Sequence, residues 1–347
     1  MRVDAAVVGG GPAGATAALR LAGAGATVVL YERSAYDGLR MGETLPPSVN
    51  PLLRELGLWD RFLAAEPMPS YLTASAWGGP EVAERSFVFS PYGHGWHTDR
   101  AAFDRMLADA AAAAGVAVRL GEAVRGVRRV GGGFAVDAGS PVVADVVVDA
   151  TGRSARVARG LGARRAGRDR LVCAARVFAL PPGATAGDTF LEAVPDGWWY
   201  AAPLPARRRL VAAFADARHA ARAGLATPDG WAAAVARTAH THALATGDAG
   251  PVHVVSAASH HLTPAAGPGW VAVGDAALAV DPLSSGGVAF ALRTGMRAAE
   301  VLLGGAAEGY LALVEAEAAE YYRLREEVYG WEARFTGDPF WRERATG

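Results

Sequence analysis

Apolar residues near the start of the chain fall into two short runs, separated by a glycine-rich turn and a longer apolar stretch. Residues 3–8, Val-Asp-Ala-Ala-Val-Val, predict a short buried strand. Residues 9–14 then fit G-x-G-x-x-G, and the Ala- and Leu-rich residues 15–24 predict a helix. A second strand is predicted at residues 27–31. The chain therefore begins with a predicted β-α-β unit.

The glycine-rich turn has the spacing of a dinucleotide-binding motif. Gly9 permits a tight turn, Gly11 lets the backbone approach a pyrophosphate, and Gly14 lets helix and strand pack closely. Glu32 ends the second predicted strand, 18 residues after Gly14, where a carboxylate accepts hydrogen bonds from ribose hydroxyls. These residues predict dinucleotide binding over an ordinary glycine turn, and leave FAD and NAD both open.

Two later segments again show a strand that ends in an acidic residue. The β-branched run 144–149 ends at Asp149 and continues into a turn with Gly152. The run 269–273 leads to Gly274 and Asp275. Asp281 and Pro282 then precede a glycine pair, Gly286 and Gly287, which opens a predicted helix from about residue 288. Backbone N–H groups at such a helix start are suited to an anionic ring edge.

The remaining pattern predicts a second, β-rich region. Strands are predicted at residues 171–180, 189–193, 198–204, 210–215 and 252–257, with helices at 228–245 and 310–329. We therefore predict a dinucleotide-binding domain from residues 1–70, 95–160 and 265–347, the last including a C-terminal helix. Residues 71–94 and 161–264 are predicted to form a smaller substrate domain.

Composition narrows the class of protein. The 347 residues are 51% hydrophobic and 20% charged with a formal net charge of −1, which excludes a disordered chain and disfavours a nucleic-acid binder. Apolar runs are too short to span a membrane, and the first residues lack a signal peptide, so we expect a soluble cytoplasmic protein without membrane partners. Cys173 is the single cysteine, and the histidines have no metal-ligand spacing, so no metal is predicted.

All 34 basic residues are arginine, and the chain contains no lysine. P-loop lysines, Schiff-base lysines and lysine general acids are therefore excluded whatever the fold.

Taken in order, the motifs resemble those of the FAD-dependent monooxygenase superfamily with the p-hydroxybenzoate hydroxylase fold. They are residues 9–14, 97–107, 149–156 and 274–282, and the resemblance covers nearly the whole chain. This superfamily includes the tryptophan halogenases and the geranylgeranyl reductases. The resemblance implies an α/β fold, with a Rossmann-type FAD-binding domain, a smaller β-rich substrate domain and a C-terminal helix.

The resemblance also implies which residues hold FAD. In the family, the residue matching Arg100 contacts FAD, the one matching Asp275 binds the ribityl chain, and the amides matching Gly286 and Gly287 face the flavin N1/O2 edge. The predicted cofactor residues are Gly9, Gly11, Pro12, Ala13, Gly14, Glu32, Arg33, Arg40, Glu43, Thr44, Arg100, Asp149, Gly152, Gly274, Asp275, Pro282, Ser285, Gly286 and Gly287.

Two segments are similar to halogenase signatures. Residues 40–48 resemble the GE-x-x-x-P segment, and residues 197–204 resemble W-x-W-x-I-P in Trp198 and Pro203 but not at Tyr200. A flavin halogenase needs a lysine for hypohalous acid, and Leu72 stands at the matching position. Arginine is a poor substitute because it stays protonated and presents a planar fork. The resemblance therefore predicts a relative that is not a halogenase.

Among halogenase-like flavoproteins without the lysine are hydroxylases of natural-product biosynthesis and flavoproteins that hydroxylate a peptidyl tryptophan during maturation of quinone cofactors. The string at residues 93–104 is most similar to the latter. The implied function is hydroxylation of an electron-rich aromatic of the indole or tryptophan type, free or peptide-bound, by O₂ through a C4a-hydroperoxyflavin. Electrons would come from NAD(P)H or from a separate flavin reductase. The alternatives are a reductase or dehydrogenase of the geranylgeranyl reductase type, and a flavoprotein oxidase.

Residues for substrate and catalysis are predicted on two segments. His94, in a glycine-rich stretch near Arg100, is the first candidate acid–base, followed by His97 and Tyr200. Predicted substrate contacts are Tyr92, Trp96 and Trp198. For each of these side chains an ordinary place in the core or on the surface is the alternative.

Overall fold

The computed structural model describes residues 1–167, 169–184 and 187–345. Its helices are α1 (Pro12–Gly23), α2 (Val49–Glu55), α3 (Trp59–Ala64), α4 (Arg100–Ala113), α5 (Arg156–Gly160), α6 (Ala217–Arg222), α7 (Pro228–Val235), α8 (Gly287–Leu302), α9 (Ala307–Gly330) and α10 (Pro339–Ala345). The strands before residue 150 are β1 (Arg2–Val8), β2 (Val28–Glu32), β3 (Thr44–Leu45), β4 (Met68–Ser70), β5 (Leu72–Ala76), β6 (Ala83–Ser86), β7 (Gly95–His97), β8 (Ala117–Leu120), β9 (Gly126–Val130), β10 (Gly133–Asp137) and β11 (Val142–Asp149). Those after it are β12 (Arg164–Ala166), β13 (Leu171–Ala179), β14 (Thr189–Val194), β15 (Gly197–Leu204), β16 (Arg208–Asp216), β17 (Asp248–Ala249), β18 (His253–Ser256), β19 (His260–Thr263), β20 (Ala266–Gly267), β21 (Trp270–Ala272) and β22 (Leu278–Ala279).

A sheet with a parallel centre forms the first half of the molecule. Its strands follow the order β20-β21-β11-β1-β2-β8, and the hairpin β9–β10 joins the first half of β11. The strands β21, β11, β1, β2 and β8 are parallel, so all their carboxyl ends lie along one edge. Strand β1 has neighbours on both sides, and its last four residues are all buried, as its apolar run predicts.

A mostly antiparallel sheet forms the second half. Its order is β17-β13-β16-β15-β14-β5-β6, with β18 also paired to β13. Side chains alternate along β15, so Trp199 packs with Trp231 of α7 on one face. Trp198 packs on the other face against Tyr329 and Trp341 of the C-terminal helices α9 and α10.

Two small sheets connect the halves. One has the order β3-β7-β4 and the other β12-β19-β22. The mixed α/β class with a Rossmann-type sheet, a β-rich second part and C-terminal helices is therefore confirmed. The predicted domain boundaries stay predictions, and their ranges include residues 168, 185–186 and 346–347, which lie outside the described residues.

One predicted helix was too long. The Ala-rich run 228–245 forms α7 only as far as Val235, and a short 3₁₀ turn follows at Thr241–Leu244. The reason is Glu192, a buried side chain on β14, whose carboxylate accepts the backbone N–H groups of Ala239, His240 and Thr241. A carboxylate that captures these amides replaces the helical hydrogen bonds of the next turn.

In the part of the chain that the structure describes, no helix combines the length and the apolar character needed to cross a bilayer.

Candidate active site

The glycine-rich turn after β1 places two glycines where no side chain fits. A Cβ on Gly9, whose φ is +110°, would lie 2.1 Å from the carbonyl oxygen of Ala150. A Cβ on Gly14 would lie 1.9 Å from the carbonyl oxygen of Gly9. These two glycines are therefore required by the close packing of β1, α1 and the end of β11.

Gly11 differs from these two because a side chain at this position would point into open space. A Cβ there would meet no atom of the described residues within 4 Å. Gly11 is also the N-cap of α1, Pro12 begins the helix, and no side chain among the described residues caps it. Free N–H groups at the start of a 12-residue helix attract an anion. The turn therefore fits a pyrophosphate.

Glu32 ends β2 beside this turn. Its carboxylate accepts the N–H of Gly10 at 2.9 Å and the N–H of Ser34 at 2.9 Å, and it pairs with Arg40 at 2.9 Å. Burial opposes ionisation, but the hydrogen bonds from Ser34 and Gly10 and the charge of Arg40 outweigh it and hold the pKa of Glu32 below its usual range. Arg33 follows on the surface. An ionised acceptor thus lies where an adenosine ribose would be bound.

Two arginines fix the segment after β2. Arg40 pairs with the buried Asp104 at 2.8 Å, and Arg100, at the start of α4, pairs with the same carboxylate at 3.1 Å. Arg100 also donates to the carbonyl oxygen of Met41 at 2.6 Å. This arrangement holds residues 40–44 in place, including Glu43 and Thr44.

The second and third predicted motifs lie along the same edge. Asp149 accepts the N–H of Thr151 at 2.9 Å and that of Ala158 at 2.7 Å, so it shapes its own turn. Burial raises the pKa of Asp149, and these hydrogen bonds oppose the shift. The N–H of Gly274 donates to Thr294 at 2.9 Å, and Asp275 pairs with Arg153 at 3.3 Å. The remaining predicted residues stand in the turns after these strands and at the start of α8: Gly152, Pro282, Ser285, Gly286 and Gly287.

A largely buried polar cluster lies where the two halves meet. Thr44 on β3 pairs in register with His97 on β7, and its Oγ1 lies 3.1 Å from His97 Nδ1. The same Oγ1 lies 2.6 Å from the hydroxyl of Tyr200 on β15 and 3.5 Å from Thr189 Oγ1 on β14. We call Glu43, Thr44, His97, Thr189 and Tyr200 the Thr44 cluster. It joins the first half of the molecule to the second.

Burial favours the neutral form of two members of this cluster, His97 and Tyr200. It lowers the pKa of His97 to about 4. Burial, then the charge of Glu43 and a hydrogen bond to it, raise the pKa of Tyr200 well above its usual range. Nε2 of His97 is buried and has no hydrogen-bond partner among the described residues. A buried imidazole nitrogen without a partner is uncommon and calls for a structural or functional reason.

The lowered pKa of His97 predicts a pH dependence of stability. In the unfolded chain the imidazole titrates near 6.5, so between this value and about 4 the unfolded state binds more protons than the folded state. The contribution of neutral His97 to the free energy of unfolding is therefore fully present above pH 6.5, and it is lost as the pH is lowered towards 4. Over this interval, the free energy of unfolding of the wild type should fall by about 3 kcal/mol more than that of His97→Gln.

Urea unfolding from neutral pH down to pH 4 measures this difference, with His253→Gln on the exposed strand β18 as the control. Burial also lowers the pKa of His260 to about 4, so His97→Gln should keep part of the pH dependence. Equal slopes for His97→Gln and the wild type would show that His97 is not held neutral by the fold.

The structure places the other predicted residues of the 92–97 segment elsewhere. Trp96 points away from its neighbour His97, as successive strand residues do, and its indole N–H donates to Asn50 at 2.8 Å. His94 lies against Trp96 with ring centroids 4.3 Å apart, and Tyr92 is half exposed. His94, Tyr92 and Trp96 are therefore not brought to the Thr44 cluster, and their roles stay predictions.

Trp198 is also separated from the cluster. Its ring is 1% exposed, stacks on Phe214 at 3.9 Å and donates from Nε1 to the Tyr329 hydroxyl at 3.0 Å. Its contact with a substrate stays a prediction. Thr189 was missed by the sequence analysis, because a single threonine in a strand carries no signal and only the tertiary structure brings its Oγ1 within 3.5 Å of Thr44 Oγ1.

The chain is similar to known flavoproteins over most of its length. The family described as FAD binding domain matches residues 2–322. The chain is 29% identical to the putative FAD-dependent oxidoreductase LodB of Marinomonas mediterranea, over 98% of this chain and 96% of that protein. It is 30% identical to a digeranylgeranylglycerophospholipid reductase of Methanoculleus marisnigri, over 86% of this chain and 76% of that protein.

Two solved structures are similar over nearly all of this chain. The myxobacterial chondrochloren halogenase CndH superposes with a TM-score of 0.86 at 27% identity, covering 99% of this chain and 86% of its own. The peptidyl tryptophan dihydroxylase QhpG, essential for tryptophylquinone cofactor biogenesis, superposes with a TM-score of 0.81 at 28% identity, covering 99% and 79%.

Proposed function

We propose a function from one premise: this chain belongs to the FAD binding domain family and is an FAD-dependent oxidoreductase. The proposed function is that of a monooxygenase which hydroxylates an electron-rich aromatic ring. The substrate we propose is of the indole or tryptophan type, free or held in a peptide. The likeness to a peptidyl tryptophan dihydroxylase supports this substrate class. The observation that carries the proposal is the Thr44 cluster beside the cofactor segments, in which burial favours neutral His97 and neutral Tyr200.

The predicted FAD residues fit the cofactor's polar groups in order along one sheet edge. Gly11 and the free start of α1 would hold the pyrophosphate, and Glu32 the adenosine ribose. Asp275 would hold the ribityl chain, and the start of α8 at Gly287 would face the flavin. Reduced FAD supplies the activation of O₂ and an electrophilic hydroxyl group when it is bound.

We propose one direction for the hydrogen bonds of the Thr44 cluster. In this arrangement the hydroxyl of Tyr200 is directed towards Glu43, whose charge contributes to the raised pKa of Tyr200. The Tyr200 oxygen then accepts from Thr44, and Thr44 accepts from Nδ1–H of His97. This order leaves Nε2 of His97 without a proton.

An unprotonated Nε2 in a buried site is a general base. A ring that has received an electrophilic hydroxyl must lose a proton, and the carbon that carries it is acidic at that stage. A weak base such as His97, with a pKa of about 4, is therefore strong enough. We propose that Nε2 of His97 takes this proton, and that Tyr200 and Thr44 hold the imidazole in the required tautomer.

A product assay tests the proposal. Reduced protein with O₂ should hydroxylate an indole or a tryptophyl peptide, and it should form no chlorinated or brominated product when halide is added. The expected absence of halogenation follows from the absence of lysine in the chain. Electrons are supplied in one series by NAD(P)H and in another by a separate flavin reductase, which distinguishes the two proposed sources.

Other products would decide for the alternatives. Saturation of a prenyl double bond would support a reductase, the function named for the archaeal relative of this chain. Peroxide release without product from any aromatic substrate would support an oxidase. A halogenated product would overturn the argument from the missing lysine.

A further inference from the structure

Helix α9 contacts the start of the loop of residues 281–287 through two tyrosine side chains. The backbone N–H of Asp281, which begins this loop, donates to the hydroxyl of Tyr321 at 3.0 Å. The hydroxyl of Tyr329 donates to Oδ2 of Asp281 at 3.2 Å. Both tyrosines lie on α9 and face the same residue, so two hydroxyl groups of one helix hold the start of the loop.

These contacts are buried and form part of a larger network. Asp281 is 2% exposed, and its other carboxylate oxygen accepts the N–H of Leu283 at 3.1 Å inside the loop. Arg325, also on α9, lies 3.6 Å from Oδ2 of Asp281. The Tyr329 hydroxyl also accepts the indole N–H of Trp198, so the same group joins the loop to β15. Several buried hydrogen bonds that converge on one residue in this way restrict its movement.

The loop held by this network leads directly into α8. Residues Pro282–Ser284 form a 3₁₀ turn, Ser285 has a left-handed φ of 50°, and Gly287 begins the helix. A shift at Asp281 is therefore transmitted over a few residues to the amides at the helix start. Arg153 anchors the other side of the loop, since it donates to the carbonyl oxygen of Val280 at 2.6 Å.

We propose that Tyr321 and Tyr329 are positioning residues for the cofactor, which hold the 281–287 loop in the geometry that binds FAD. Helix α9 then influences FAD affinity through the loop, although none of its residues is among the predicted cofactor residues. This inference rests on the FAD site proposed above and is independent of the substrate and of the reaction.

The test compares two Tyr→Phe variants on the same helix. Tyr321→Phe keeps the ring and removes the acceptor for the Asp281 N–H. Tyr310→Phe is the matched control, because Tyr310 is equally buried on α9 but donates to the carbonyl oxygen of Ala272 at 2.5 Å, outside the loop. Ser259→Ala is a second control, because it removes the other partner of the Tyr321 hydroxyl and leaves the Asp281 contact.

FAD affinity of the apoprotein is measured by quenching of flavin fluorescence, with thermal melting of each apoprotein alongside. We expect the Kd of Tyr321→Phe to rise about tenfold and that of each control to change by less than about twofold. The visible spectrum of bound flavin should change in Tyr321→Phe alone.

Equal weakening in Tyr321→Phe and Tyr310→Phe would overturn the proposal, as would a wild-type Kd in Tyr321→Phe. Should Tyr321→Phe not fold, Tyr329→Phe takes its place with the same expected result. A wild type that binds no FAD would instead refute the FAD site itself, so the two failures are distinguishable.

Discussion

Gly11→Val should yield a folded protein that is purified without flavin. A Cβ at this position meets no atom of the described residues within 4 Å, so the fold has room for the valine side chain. The same space is where the backbone would approach the pyrophosphate, and a branched side chain there excludes it. We expect flavin absorbance per protein to fall by a factor of about 100 or more, because the lost contacts include charge-assisted hydrogen bonds.

Two further variants show that this effect is local. Gly23→Val, at the other end of α1, also places its Cβ in open space and should keep wild-type flavin content. Gly14→Val should fail to fold, since its Cβ would lie 1.9 Å from the carbonyl oxygen of Gly9. Flavin absorbance and circular dichroism measure the two properties separately. Normal flavin content in Gly11→Val would contradict the placement of the pyrophosphate.

Tyr200→Phe should lower kcat by about 100-fold and leave KM and flavin content unchanged. Without the phenol, Thr44 has no acceptor at 2.6 Å on that side, so its hydroxyl turns to donate to Nδ1 of His97. The ring proton then moves to Nε2, and the base is lost. A proton-transfer group contributes a factor of about 100 to 10,000 to the rate, so the loss appears in kcat.

Comparison with His97→Gln separates this mechanism from simple damage to the core. If Tyr200 acts through His97, the double variant should be no slower than His97→Gln alone. Tyr310→Phe, a buried tyrosine outside the cluster, should keep wild-type kcat. Multiplicative losses in the double variant, or a lowered flavin content in Tyr200→Phe, would contradict the proposed role.

The histidines illustrate the limit of sequence reasoning at this site. His94 was ranked first because it lies in a glycine-rich stretch close to Arg100, whereas the structure brings His97 to Thr44 and Tyr200. Only two residues separate the two histidines along the chain, but β7 begins between them and directs His97 into the junction. Register with β3, which pairs Thr44 with His97, is not visible in the local sequence.

Trp198 and Tyr200 show the same limit. Both lie on one face of β15, as their spacing of two residues predicts, but Trp198 is buried and Tyr200 is only partly buried. Only the position of α9 and α10 separates them, because these helices cover Trp198 and leave Tyr200 next to β3 and β7. The helices come from the end of the chain, and the spacing of residues within β15 does not predict where they pack.

The sequence by itself determined the β-α-β start, the FAD-type motifs and their order, because each depends on residues adjacent in the chain and on local steric limits at glycine. It also excluded lysine chemistry by composition alone. The tertiary structure decided the end of α7, which Glu192 terminates from a different strand, and the makeup of the Thr44 cluster, which takes residues from β3, β7, β14 and β15. Burial also arises only on folding, and it is burial that lowers the pKa of His97 to about 4, while its Nε2 has no hydrogen-bond partner among the described residues.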